Sequence, residues 1–337
     1  METPKIRNQT LDIFKFVASF AVVCIHYMFY GTAGDIVKAL SRFAVPFFFA
    51  VAGYFAYGNP SKKIKHKAKH ILTIYLCSFL LYFCYSAFKY ILSNNTLTEY
   101  FLSYANKESI LNFFVLNQTV SSAHLWFLPA LVYCYLIYYV IRNKMPENVI
   151  VIISLILMVL YLIAEEILPI FAVQLPIYVY GNVLFRAFPC FALGFAAKKY
   201  KLTVHKRVSI GACLAILVFG IVETIASVLL FGNSITYFGS ILMTIALLLL
   251  AIKLECRTYH KTIAKVSGYS IYIYVFHVAI GGTLQTLLDY LNVGYKLLWI
   301  NTKPFVVFVL AIALSIIIEC AMRLILRKKR IPKNTSV

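Results

Sequence analysis

Charge is scarce in this chain, and acid is scarcer than base. Only 13% of its 337 residues are charged, where a soluble domain carries about a quarter. Asp and Glu number 12 against 32 Lys and Arg. With 62% hydrophobic residues and a mean hydropathy of +0.83, no stretch is polar enough to form a separate soluble domain. The eight cysteines, at 24, 77, 84, 134, 190, 213, 256 and 320, fall mostly in apolar runs, with Cys256 in a basic loop. None sits in a CxxC or a Cys/His ligand spacing, so neither a disulfide framework nor a zinc site is implied. No small-x-small cleavage site clearly follows the first apolar run, which is read as a retained helix rather than a signal peptide. The net charge of +20 does not imply a nucleic-acid partner either. Its cations stand in short clusters between apolar runs, which is the pattern of membrane topology rather than of a DNA-binding face.

What is present is a series of apolar runs of spanning length. A membrane helix needs roughly 20 apolar residues. Ten such runs are read at about 11–30, 42–58, 71–92, 124–141, 148–168, 177–197, 208–231, 235–252, 266–288 and 304–323. Breaks at Gly58-Asn59-Pro60, Met145-Pro146 and Gly232-Asn233 separate neighbours. With a cytoplasmic N-terminus, one side of the membrane holds 24 of the 32 basic residues and the other side six, an asymmetry that orients the chain. The expected architecture is an all-α polytopic membrane helical bundle of about ten transmembrane helices. Both termini are cytoplasmic and a single domain covers 1–337. Residues 93–123 form a long outer connection, read either as a re-entrant or interfacial cap over a cavity or as a plain surface helix.

Ionisable residues inside a span cost about 2.5–3.5 kcal/mol each on insertion scales, so each needs a reason. The first run, "LDIFKFVASFAVVCIH" (11–26), carries Asp12, Lys15 and His26. Lys15 and His26 are close to three turns apart, hence on one helix face and roughly 16 Å apart along the axis. Asp12 is placed to pair with Lys15. Lys15 falls near the cytoplasmic edge and His26 deeper, toward the outer leaflet. Arg186 lies near mid-membrane and keeps its proton, so it needs an anion: Glu223, Glu165 or Glu166, or a bound phosphate or carboxylate. His277 reads either as part of a proton relay or as an interhelical hydrogen bond. Trp126 opens a span at the outer interface, and Glu319 reads as structural.

These segments resemble the acyltransferase-3 family of integral membrane acyltransferases. "LDIFKFVASFAVVCIH" is similar to its first helix, with Leu-Asp, a basic residue, ten residues and His. "VPFFFAVAGYFAY", "HLWFLPALVYCYL", "FRAFPCFALGF" and "SGYSIYIYVFH" resemble four further family motifs, in order over nearly the whole chain. The resemblance implies transfer of an acyl group, usually acetyl, from cytoplasmic acyl-CoA to a hydroxyl of an envelope polysaccharide or lipid-linked sugar. The expected setting is the bacterial cytoplasmic (inner) membrane. Acetyl-CoA is then a co-substrate, and no cofactor is held permanently. The partners implied are acyl-CoA, the glycan acceptor and the lipid bilayer. His26 takes the catalytic role with Asp12 assigned beside it. Lys15 and Arg186 serve the CoA end, and Trp126, Glu223 and His277 line the substrate site. Two positions depart from the pattern: Lys15 stands where the family usually has Arg, and Ala52 where it usually has Ser. The extra C-terminal soluble domain of some relatives is also missing from the pattern.

A rival reading is a transporter, since some members of this fold are suspected of moving small metabolites such as serine, and buried carboxylates with His and Lys suit a proton-coupled carrier. No pair of broken helices is visible in the sequence, which weighs against it. A weaker third reading is a structural subunit of polysaccharide export. The topology has a direct test: cysteines placed at Lys67 and at Lys107 are expected to react with a membrane-impermeant thiol reagent from opposite sides. Labelling of both from one side would sink it.

Overall fold

A computed structural model describes residues 8–93, 96–255, 261–291 and 296–330. Cys256 lies outside the described residues, as do Lys5, Arg7 and Lys333, which count among the 24 basic residues of the cytoplasmic side. Among the described residues there is no strand, and eight helices are long and apolar enough to cross a membrane. Numbered by position in the chain, these are the first span (Gln9–His26), second (Gly31–Ala56), third (Ser61–Leu92), fourth (Ala123–Ile141), fifth (Glu147–Phe171), seventh (Ile210–Phe231), ninth (Ser270–Tyr290) and tenth (Leu297–Leu324). The two remaining apolar segments depart from the expected full-length helices. The eighth, Phe238–Lys253, has 16 residues and rises only about 24 Å, short of a hydrocarbon core of about 30 Å. The sixth is broken into Ile177–Tyr180, Val183–Arg186 and Phe188–Lys199. Asn182 caps the middle piece through Leu184 N–H, and Pro189 stands in the first turn of the last. The second span starts eleven residues earlier than read from sequence, because Gly31–Ser41 is itself helical.

The breaks fall where turn chemistry demands them. Gly58 and Gly232 both take positive φ, at 74° and 88°, which costs a residue without Cβ nothing. Pro60 and Pro146 stand as N-caps of the helices that follow. Asn8 starts the first span: its side chain accepts from Leu11 N–H and donates to the Ala251 carbonyl at 2.6 Å. The amino end of the first span is thereby tied to the end of the eighth.

Close packing inside the bundle rests on small residues, as in membranes generally. A Cβ at Gly53 would run into the Phe191 carbonyl, and one at Gly194 into the Ala50 carbonyl. The second and sixth spans therefore touch backbone to backbone, and Phe47, Phe49 and Phe191 are sealed between their neighbours. Large apolar residues such as Leu80, Ile156, Val218 and Ile317 remain on the outside, where a bilayer covers them. The connection 93–123 carries its own structure: Leu97–Ala105, opened by a Thr96/Glu99 capping box, then Lys107–Leu111 and the π-helical Asn112–Leu116. It is pinned by Tyr100 donating to the Phe83 carbonyl and Tyr178 donating to Asn112 Oδ1, at 2.9 and 3.0 Å.

Gly53→Ala and Gly194→Ala should each destabilise the protein by about 1–3 kcal/mol, the usual range for overpacking. A Cβ at Gly268 meets nothing within 4 Å, so Gly268→Ala serves as the control. Melting of the three variants in detergent compares them, and equal melting temperatures would remove the backbone contact as a constraint.

Candidate active site

The amino end of the first span builds a polar cluster below a cavity. Lys15 Nζ pairs with Asp12 Oδ1 at 2.9 Å, and Ser267 donates to the same oxygen at 2.8 Å. Lys15 also lines a cavity of about 270 Å³ with Ala52, Phe127, Ser267, Ser270 and Tyr274 among its walls. The pairing expected from the i, i+3 spacing is present. The same residue faces open space, so the ion pair does not bury it. Ala52, where the resembling pattern has Ser, stands in this wall.

The other end of the first span is held against the ninth. Tyr27 donates to the Val278 carbonyl at 3.0 Å, and its ring occupies the notch left by Gly281. Tyr27 directly follows His26, so its anchoring brings His26 to His277, with ring centroids 5.0 Å apart. The third span contributes Tyr82. Its hydroxyl donates to the Val275 carbonyl at 2.7 Å and accepts from Ala279 N–H at 3.0 Å, the two groups an uninterrupted helix pairs with each other. His277 lies between them.

A third histidine completes the group. His124 opens the fourth span in the short 3₁₀ turn Ala123–Trp126, and its carbonyl accepts from the Tyr274 hydroxyl. Its ring lies 6.0 Å from that of His26 and 5.6 Å from that of His277. His26 is exposed to a cavity, whereas His124 is 8% exposed and His277 fully buried. His277 Nδ1 contacts the Ile273 and Tyr274 carbonyls of its own helix at 3.0 and 2.8 Å. Two carbonyl acceptors make Nδ1 the donor and leave Nε2 with its lone pair. That Nε2, and Nε2 of His124, are buried without a partner. The interhelical hydrogen bond expected of His277 is therefore replaced by bonds within its own helix. His124 was missed from sequence because a histidine beside Leu-Trp at an interface carries no periodic signal. Its position as another titratable residue at the outer end of a span was the available clue. Among the described residues no group of three or more His, Cys, Asp or Glu is arranged to hold a metal.

His26 and His124 line a cavity of about 80 Å³ together with Arg42, Trp126, Tyr161, Arg186 and Tyr274. Arg186 does not pair with Glu223. Its guanidinium carbon sits 3.9 Å from the centre of the Trp126 ring, a cation–π arrangement. Trp126 is thus part of the cavity wall rather than a residue of the outer interface. Glu223 lies outside the cavity, accepting from Gly239 N–H at 2.6 Å and from Ser227 at 3.1 Å. Glu165 and Glu166 accept from the backbone of Ile235 and Phe238, just before and at the start of the eighth span. Glu319 accepts from Tyr269 and pairs with Arg323 and Lys265, a structural role as expected.

Lys15 and His26 therefore open into two different cavities that share one wall, Tyr274. Arg186 belongs to the cavity of His26 and not to that of Lys15. Asp12 stands fourteen residues before His26, about 21 Å along the helix, so it positions Lys15 and does not reach the histidines.

Comparison with known proteins bears on the chemistry. A family model described as an acyltransferase domain matches residues 8–324. An amino-acid racemase of Enterococcus faecalis is 33% identical over 139 residues, which are 37% of this chain and 18% of that protein. The chain thus covers less than a fifth of the length of that relative. No solved structure matches.

The differing exposure of the three histidines has a chemical readout. Diethyl pyrocarbonate acylates accessible neutral imidazoles, so it should modify His26 first, His124 slowly and His277 not at all, as mapped by peptide mass spectrometry. The exposed His66 and His70 provide the reference rate. Equal labelling of all three cavity histidines would contradict the burial described.

Proposed function

The chain belongs to the acyltransferase-3 family of integral membrane proteins, and from that membership we propose that it moves an acetyl group from cytoplasmic acyl-CoA to a hydroxyl of an envelope polysaccharide or lipid-linked sugar. The expected site of action is the bacterial cytoplasmic membrane. The observation that carries the reading is the pair of cavities on one helix: Lys15 opens into one, His26 into the other, and Tyr274 stands between them. Lys15 is a point cation suited to the phosphates of CoA, and the larger cavity beside it, of about 270 Å³, is assigned to the arm that carries the thioester. The smaller cavity suits the reacting centre.

The chemistry asks for a base that is neutral at working pH, and imidazole supplies one. The acceptor oxygen attacks the thioester carbonyl carbon as His26 takes the hydroxyl proton. The C–S bond then breaks, and the imidazolium returns that proton to the departing sulfur, giving the ester and the free thiol of CoA. His277, with Nδ1 held by two carbonyls and Nε2 unpaired, and His124 stand ready to accept or relay a proton. Charge developing on the carbonyl oxygen is stabilised by the cation of Arg186, which lines the same cavity.

A second reading has one observation in its favour. The broken sixth span resembles the discontinuous helices of transporters, and the amino-acid racemase similarity makes an amino acid the natural cargo. Release of free CoA from acyl-CoA by membranes containing the protein separates catalysis from carriage.

His26→Ala should abolish detectable acetyl transfer, since a general base contributes about 10²–10⁴-fold. Melting should barely change, because a hydrogen bond within a membrane protein averages about 0.6 kcal/mol. In the same assay Lys15→Ala should raise the acyl-CoA concentration needed for half-maximal rate, and Lys15→Arg should retain most of the activity. Near-normal transfer by His26→Ala would remove it from the mechanism.

A further inference from the structure

Arg42 has no part in the reading so far. It caps the C-terminal end of Gly31–Ser41, where the chain turns into Ala44–Ala56. Arg42 lines the His26 cavity together with Arg186. Among the described residues neither guanidinium forms an ion pair, and Arg186 rests against the Trp126 ring instead. Glu165 is joined to this cavity through Ile235, one of its wall residues. It is already engaged, with Oε1 accepting from Ile235 N–H at 2.8 Å. Two arginines thus line one small space, and the carboxylate that bonds to its wall at Ile235 is already committed.

Two like charges that cannot shed their protons repel strongly where water is sparse. The arrangement is relieved by an oxyanion, whose oxygens match the forked donors of arginine. A volume of about 80 Å³ has room for a few waters, the scale of a phosphoryl or carboxylate head.

We propose that Arg42 and Arg186 form a clamp for an oxyanion, a phosphate or carboxylate borne by the acceptor, and that the clamp presents the acceptor hydroxyl to His26. Only the word acceptor rests on the acyl-transfer reading; the clamp itself does not. This moves Arg186 from the donor to the acceptor, and adds a residue from the turn that opens the transmembrane part of the second span.

Trp126 supplies the readout. The chain has two tryptophans, so a Trp299→Phe background leaves Trp126 alone, and an anion that engages Arg186 changes its emission. The purified full-length protein is titrated with sodium phosphate and with sodium acetate, against sodium chloride at matched ionic strength. It is also reconstituted in phosphatidylcholine nanodiscs with or without a long-chain polyprenyl phosphate. A saturable response to phosphate or acetate, or one seen only with the polyprenyl phosphate, supports the clamp and tells a soluble anion from a lipid-borne one. Arg42→Gln should weaken that binding by about tenfold or more, the scale on which loss of one partner of a close charge pair is felt. Arg42→Lys keeps the charge and the fold but not the fork, and should give an intermediate loss. No saturable response to any probe, or an affinity equal to the parent's in both variants, overturns the proposal. Acetyl transfer is measured alongside. If transfer is absent while the Arg42-dependent response persists, the clamp stands and the catalytic reading alone falls.

Discussion

The hydroxyl of Tyr82 sits between the Val275 carbonyl and the Ala279 amide, and the histidine cluster depends on that insertion. A hydroxyl with both donor and acceptor satisfied is stable in the interior, whereas either backbone group left alone there would cost several kcal/mol. The ninth span is therefore fixed to the third at the turn that carries His277. Tyr27, seated in the Gly281 notch, fixes the first span to the same turn from the other side. Two tyrosines from two helices thus determine where His26 and His277 meet, and Tyr274 brings the start of the fourth span, with His124, to the same place.

This arrangement separates two polar sites along one helix. The first span is a largely apolar rod on which Asp12, Lys15 and His26 fall into two groups. Asp12 and Lys15 share a cluster with Ser267 at one end, and His26 faces the small cavity at the other. An α-helix keeps such groups about 16 Å apart with little give. The wall between the two cavities is aromatic, with Phe127 and Tyr274 in contact at 5.3 Å between ring centres.

The cation balance of the inner cavity follows from the scarcity of acid in the chain. Arg42 and Arg186 are drawn to one space while Glu165, Glu166 and Glu223 are used to hold the backbone at and before the start of the eighth span. That span is the short one, and three carboxylates on its leading amides compensate for groups that a longer helix would have left in the headgroup region. The electrostatics of the cavity are thereby a by-product of how the neighbouring helix is capped.

Much of this was legible in the sequence. Apolar runs of spanning length defined an all-α membrane bundle, because an apolar run of about 20 residues matches the membrane as a helix, whereas a barrel strand needs about half that. The spacing of Asp12, Lys15 and His26 put them on one helix, because helical periodicity is local. The family motifs marked the helices that line the two cavities. What periodicity could not carry were relations between helices. The break in the sixth span, the stacking of Arg186 on Trp126 in place of an acid, the retirement of Glu223 to a backbone amide, and the meeting of His124 and Arg42 with His26 all depend on which turns face each other. Contacts between helices far apart in sequence decide that, through notches such as Gly53, Gly194 and Gly281 that admit a neighbour's backbone or ring. A lone glycine in an apolar run looks the same whether it faces lipid or another helix, so only the tertiary structure could tell these apart.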